Sequence, residues 1–160
     1  MKIDNIDIAY AAGIFDGEGY VDIYSASLSK ASKSPSFMLR VVISQKDGKI
    51  MNWLKDRFEG SVRCEKRQDN YIYRWDIRSQ AAQRFLTLIY PFIIIKKEQI
   101  QLALKFEERK GKYLSTLKGS QGFRKLSDEE IKWRIEMKEN LKKLKKEYTP
   151  YIKNVCTNND

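Results

Sequence analysis

Residues 37–44 alternate without a break: Phe37, Leu39, Val41 and Ile43 face one way, Met38, Arg40, Val42 and Ser44 the other. Successive side chains of a strand leave opposite faces, so this period marks a strand with one side buried. The alternation recurs over residues 20–24, where Val21 and Ile23 oppose Tyr20, Asp22 and Tyr24. It recurs again over residues 62–67, with Val62 and Cys64 inward. Over residues 71–78, Tyr71, Tyr73, Trp75 and Ile77 oppose Ile72, Arg74, Asp76 and Arg78. A serine- and lysine-rich loop at 25–36 and a turn at 68–70 fold these runs into two hairpins. Each hairpin has one apolar face and one bearing arginines, tyrosines and serines. A four-stranded antiparallel sheet, covered by helices on one side only, is the simplest assembly.

The segments between the strands change period. Residues 7–16 read as a short helix of small and aliphatic residues, capped by Asn5 or Asp7 and stopped by Gly17. Ile50, Trp53, Leu54 and Phe58 repeat at helical spacing over 47–58, up to Gly60. Ser79 opens another helix with Ala82, Phe85, Leu86 and Ile89 inward, ended by Pro91, and residues 96–110 form one more. The order αββαββα makes an α+β chain. Residues 1–110 form its core. Residues 111–160 form a connector and a helical extension packed on the same domain. Glycines make 111–125 a connector, Ser127 and Glu130 supply a capping box, and Trp133, Met137, Leu141, Leu144 and Tyr148 form a stripe. Lys138, Lys142, Lys145 and Lys146 line its other face, suited to solvent or to phosphate. Cys64 reads as a small core residue, and 158–160 as a disordered tail.

Across 160 residues, 31 lysines and arginines stand against 21 acids, a net charge of +10. Such an excess keeps a protein soluble, and it also makes nucleic acid a fitting partner. The first residues lack a secretory pattern, and the longest apolar run, 89–95, contains Pro91 and is too short to span a bilayer. The reading is therefore an intracellular protein, with organelle and prokaryotic cytoplasm not distinguished. Cys64 and Cys156 form no paired motif. The chain has no histidine. That excludes Ser-His-Asp and Cys-His nucleophile systems, histidine-ligated zinc and a histidine base, leaving carboxylates, a hard cation and lysine or glutamine helpers for any hydrolysis.

Residues 11–19 read Ala-Ala-Gly-Ile-Phe-Asp-Gly-Glu-Gly, a helix of small residues running into an acidic, glycine-bounded end. Small side chains at Ala12 and Gly13 let two identical helices approach closely, as at the two-fold axis of a dimer. Each helix then brings its C-terminal carbonyls, that of Gly17 included, and the Glu18 carboxylate to one place, which suits divalent cations. This segment, with the hairpin-helix order after it, resembles the motif of the LAGLIDADG homing endonucleases, over about residues 6–110. The single copy resembles the homodimeric, single-motif members. The resemblance implies Glu18 as the metal ligand beside the Gly17 carbonyl, with Mg2+ as cofactor and Mn2+ as a substitute. Many members carry aspartate where this chain has glutamate. Asp16 matches the more structural acid and joins Ala12 and Gly13 in the expected dimer interface. Gln45, Lys49 and Lys96 match polar and basic positions around the scissile phosphate, Lys96 following a Pro-Phe turn.

The implied function is a metal-dependent double-strand break in a long, pseudopalindromic DNA target, carried out by an intron-encoded or intein-encoded enzyme. Tyr24, Arg40, Ser44, Arg63, Glu65, Arg67, Arg74, Asp76 and Arg78 are the expected base or phosphate contacts. Arginine suits guanine edges, and glutamate or aspartate suits cytosine. Lys30 and Lys33 in the first hairpin loop suit the phosphate backbone. The alternative keeps the fold without the cutting: an intron maturase, with RNA as partner, or a transcription regulator.

Overall fold

A computed structural model describes residues 3–26, 34–67, 70–117 and 125–146. In chain order the elements are α1 (Asn5–Glu18), β1 (Gly19–Ala26), β2 (Ser36–Gln45), α2 (Gly48–Phe58), β3 (Ser61–Arg67), β4 (Asn70–Arg78), α3 (Ser79–Ile89), a 3-10 turn (Tyr90–Phe92), α4 (Lys97–Thr116) and α5 (Asp128–Lys146). The strands form one antiparallel sheet in the order β1-β2-β4-β3. The two hairpins therefore join through β2 and β4, as Arg40 opposite Arg78 and Gln45 opposite Tyr73 mark.

The expected inward residues of β1 and β2 are buried, together with Trp75 and Ile77 of β4. Helices α1 to α4 cover them. At the centre, the Phe85 ring meets those of Phe15, Phe58 and Trp75 edge to face, with centroids 6.2, 5.2 and 5.0 Å apart. Such pairs add about 0.5–1.5 kcal/mol each beyond the area they bury. The indole of Trp75 donates to the Glu59 carbonyl at 2.7 Å. That turn needs Gly60, whose φ is +93° and whose added Cβ would lie 2.8 Å from the Asp76 carbonyl oxygen.

Several boundaries differ from the sequence reading, each for a local reason. Helix α1 starts earlier, with Asp4 as its cap accepting from the Asp7 N–H at 2.8 Å. It ends later, at Gly19 and not Gly17. A side chain at Gly19 would strike Phe15, whereas nothing of the chain stands near a Cβ at Gly17. Helix α4 continues through Gly111 into the expected connector, since a lone helical glycine costs only about 1 kcal/mol. Buried Lys110, paired with Glu107 at 2.6 Å, helps hold that stretch. Cys64 is exposed because the β3–β4 hairpin runs beyond its helical cover, and Tyr71 is exposed beside it. Val42, expected on the polar side, is fully buried between Tyr20 and Asp76 in register.

Ser127 caps α5, accepting from the Glu130 N–H at 3.2 Å. Glu130 does not close the other half of the expected box. It turns inward and pairs with Arg134 at 2.8 Å and Arg109 at 3.4 Å. Helix α5 packs on α4 and β1, with Trp133 stacked on Phe106 at 5.8 Å. Lys30, Lys33, residues 68 and 69, Tyr148, Cys156 and the tail lie outside the described residues.

Candidate functional site

Helix α1 has two apolar faces and only one of them is covered. Ile8, Ala11, Ala12 and Phe15 are buried in the core, whereas Ile6 (79% exposed), Ala9, Tyr10 (52%), Gly13 and Gly17 line the opposite side. This corrects one expectation: Ala12 packs against its own chain, and the small residues on the open side are Ala9, Gly13 and Gly17. A Cβ at either glycine would meet no atom within 4 Å. At the C-terminal end of this open face, Tyr10, Gly13, Ile14, Gly17, Glu18 and Gln45 line one hollow of about 400 Å³. The Glu18 side chain is exposed there.

The helix end is pinned from behind. The Asp16 carboxylate accepts from the backbone N–H groups of Ile94, Ile95 and Lys96 at 2.8, 3.1 and 3.1 Å. It therefore ties α1 to the segment after the 3-10 turn, with its carboxylate turned to its own chain. Lys96 completes the clasp. Its Nζ donates to the carbonyls of Phe15 and Gly19 at 2.9 and 2.7 Å, and lies 5.5 Å from the Phe15 ring centroid. Burial pushes the ammonium below the ordinary lysine range, and the Asp16 and Glu18 carboxylates pull it back up. Lys96 thus caps helix-end carbonyls with two of its three N–H donors.

Lys49 lies in the first turn of α2, where its N–H bonds the Asp47 carboxylate at 2.7 Å. It lines a second hollow with Lys46, Asp47, Gly48, Asn52 and Tyr73. Tyr73 pairs in register with Gln45, so the two hollows adjoin. Glu18 and Gln45 meet in one hollow, Lys96 sits behind Glu18, and Lys49 occupies the hollow next door.

The open sheet face carries Tyr24, Arg40, Ser44, Arg63, Glu65, Arg67, Arg74, Asp76 and Arg78 on β1 to β4, as the alternation requires. Its carboxylates are engaged with its arginines: Asp76 with Arg63 and Arg78, Glu65 with Arg67 and Arg74. Asp22, not singled out in the sequence, pairs with Arg40 at 3.3 Å, and Arg40 lies over the Tyr24 ring. Ser44 accepts from Arg74 Nε at 3.4 Å. Lys145 of α5 reaches the margin of this face over the Tyr20 ring, 5.4 Å from its centroid. Burial lowers its pKa while Asp22 raises it. The cross-strand partner of Asp22 was the signal that could have found it.

Comparison with solved structures finds homing endonucleases among the matches. I-CvuI, crystallised on DNA with magnesium and not cleaving it, is 18% identical over 87% of this chain and 94% of its own, with a TM-score of 0.58. The archaeal intron-encoded homing endonuclease I-Vdi141I, complexed with DNA, is 18% identical over 88% of this chain and 84% of its own, at 0.66. This chain has the LAGLIDADG homing endonuclease fold. The LAGLIDADG meganuclease I-AabMI, bound to uncleaved DNA, aligns at 0.65 and 19% identity with 87% of this chain, but over only 48% of its own length. One copy of the LAGLIDADG fold seen here thus corresponds to about half of that protein. No protein-family model matches the sequence, and no curated protein matches it.

Within this LAGLIDADG fold, no group of three or more acidic or cysteine side chains gathers among the described residues to cage a metal. One chain offers the exposed Glu18 carboxylate beside the Gly17 carbonyl, whereas the Phe15 carbonyl is taken by Lys96 and the Gly19 N–H. That all-oxygen set fits magnesium, which keeps several waters and takes one or two carboxylates. No helix among the described residues is long and apolar enough to cross a membrane.

Proposed function

We propose that this chain is a homodimeric, magnesium-dependent endonuclease that cuts both strands of a long, pseudopalindromic DNA site. The observation that carries the reading is the bare apolar face of α1 leading to the Glu18–Gln45 hollow. A helix apolar on all sides is stable only when covered on all sides. A second α1 crossing at Gly13 and Gly17 covers both copies at once, and the match to half of I-AabMI supports the same pairing.

Pairing brings two Glu18 side chains and two sets of helix-end carbonyls together. Glu18 and the Gly17 carbonyl would hold magnesium, which supplies a water of lowered pKa and charge neutralisation at the leaving oxygen. Manganese serves the same oxygen ligands. Gln45, beside Glu18, orients water or phosphate through its amide. Lys96 and Asp16 act as positioning residues that keep the helix end fixed, and Lys49 adds positive charge from the adjoining hollow. The sheet faces of the two copies seat the duplex, and the five arginines of each face supply most of the contacts.

The test starts from a binding selection on a duplex library, followed by cleavage of the recovered site in magnesium. Glu18→Gln is expected to lower cleavage by at least about a hundredfold while keeping affinity for that site. Equal cutting by both proteins overturns the assignment.

A further inference from the structure

The sheet face sets arginines directly against each other. In register, Arg40 faces Arg78 across β2 and β4, and Arg63 faces Arg74 across β3 and β4. Like charges directly opposite destabilise a sheet. Each of the four is nevertheless held by a carboxylate: Arg40 by Asp22, Arg74 by Glu65, and both Arg63 and Arg78 by Asp76. Asp76 is the pivot. It lies on the row between the two arginine pairs, beside buried Val42, and is only 6% exposed, while Arg63 and Arg78 are 59% and 44% exposed.

That burial bears on the sequence reading of Asp76 as a base or phosphate contact, one for which cytosine was the fitting base. A carboxylate beneath two guanidinium groups, with both oxygens engaged, does not reach a base edge. Arg78 meets Asp76 through Nε at 3.0 Å, and its side chain stays 44% exposed. Arg63 meets it through one terminal nitrogen at 3.5 Å. A guanidinium is a planar fork that matches guanine O6 and N7 only when its plane is fixed.

We propose that Asp76 is a positioning residue for specificity: it aims Arg63 and Arg78 at guanines in each half-site and reads no base itself. The inference rests on the reading of the sheet as a DNA-binding face. Its consequence is particular. Asp76→Asn removes a negative charge from a surface meant for a polyanion, so affinity for DNA of mixed sequence holds or rises while discrimination falls. Loss of a direct cytosine contact would act on a cytosine and leave guanines alone.

The experiment is selection from a duplex library by wild type, Asp76→Asn, the Arg63→Ala/Arg78→Ala protein and the triple variant, each checked for native circular dichroism. Wild type is expected to select guanines. Asp76→Asn should weaken that preference about tenfold at the positions where the double variant loses it, and add nothing in the double-variant background. Guanine preference unchanged by Asp76→Asn, or a cytosine preference lost instead, overturns the proposal and leaves the DNA-binding reading intact. Wild type without duplex binding overturns both. If Asp76→Asn does not fold, Asp76→Glu takes its place, and guanine preference surviving in the double variant is the overturning result.

Discussion

Lys96 shows how one side chain can be found by pattern while the bonds it makes within the chain go unseen. Its position after the Pro-Phe turn led to the end of α1, where its ammonium donates to two carbonyls and keeps a third N–H. Removing the ammonium deletes two charge-assisted hydrogen bonds, although the Phe15 carbonyl keeps the Gly19 N–H, at a cost of about 1–3 kcal/mol. Lys96→Met is therefore expected to melt several degrees lower, by about 2–4 °C per kcal/mol in a protein of this size. It should also cut more slowly with little change in DNA affinity. A freely exposed catalytic lysine would lower cutting with an unchanged melting temperature, so calorimetry beside a cleavage assay separates the two roles. That Glu18 and Gln45 line one hollow follows from a motif and a strand end that each carry a recognisable polar residue. The clasp of Asp16 on residues 94–96 was not legible, since it joins segments about 80 residues apart through backbone N–H groups that every residue possesses.

Among the elements, α1 carries the sharpest conflict between local stability and proposed function. Gly13 sits in mid-helix with open space around its missing side chain. Replacing a helical glycine by leucine improves helix propensity by somewhat under 1 kcal/mol. Gly13→Leu is thus expected to leave the monomer as stable as before, or more so, while blocking close approach of a second helix. Sedimentation should then give a monomer that no longer breaks both strands. Ala12→Leu makes the control: it overfills the buried core and costs about 1–3 kcal/mol whatever the oligomeric state. A stable Gly13→Leu dimer that still cuts would remove α1 from the interface. The strands were legible almost to the residue because their period is 2 and one face is buried. Helix ends were less so: α4 runs through Gly111 because neighbouring packing outweighs one glycine, and Glu130 abandons its cap for Arg134. Which side of α1 faces inward was not legible at all, since both sides are apolar or small and periodicity has nothing to distinguish.

At the scale of the whole molecule, the two proposed interfaces are made of different materials. The face of α1 left bare is aliphatic, aromatic and glycine, with Ile6 and Tyr10 as its largest exposed groups. The sheet face is an array of arginines in which five positive groups meet three carboxylates, within a chain of net charge +10. Apolar association responds little to simple salt, whereas each phosphate contact releases counterions and steepens the salt dependence by about 0.9 in log–log slope. Raising monovalent salt from about 50 to 200 mM is therefore expected to weaken DNA binding by about a thousandfold if some six phosphates are held per dimer. The dimer itself should survive the change. Chelating divalent cations should do the reverse of neither: it stops cutting, yet leaves both the dimer and the DNA complex in place, because the sheet contacts and the α1 pairing need no cation. Sedimentation of the protein with a labelled recovered site, across salt and with chelator, reads all three states in one series. Loss of the dimer on the same salt transition as the DNA would mean that the copies are held together by charge, and that the apolar face of α1 has another use.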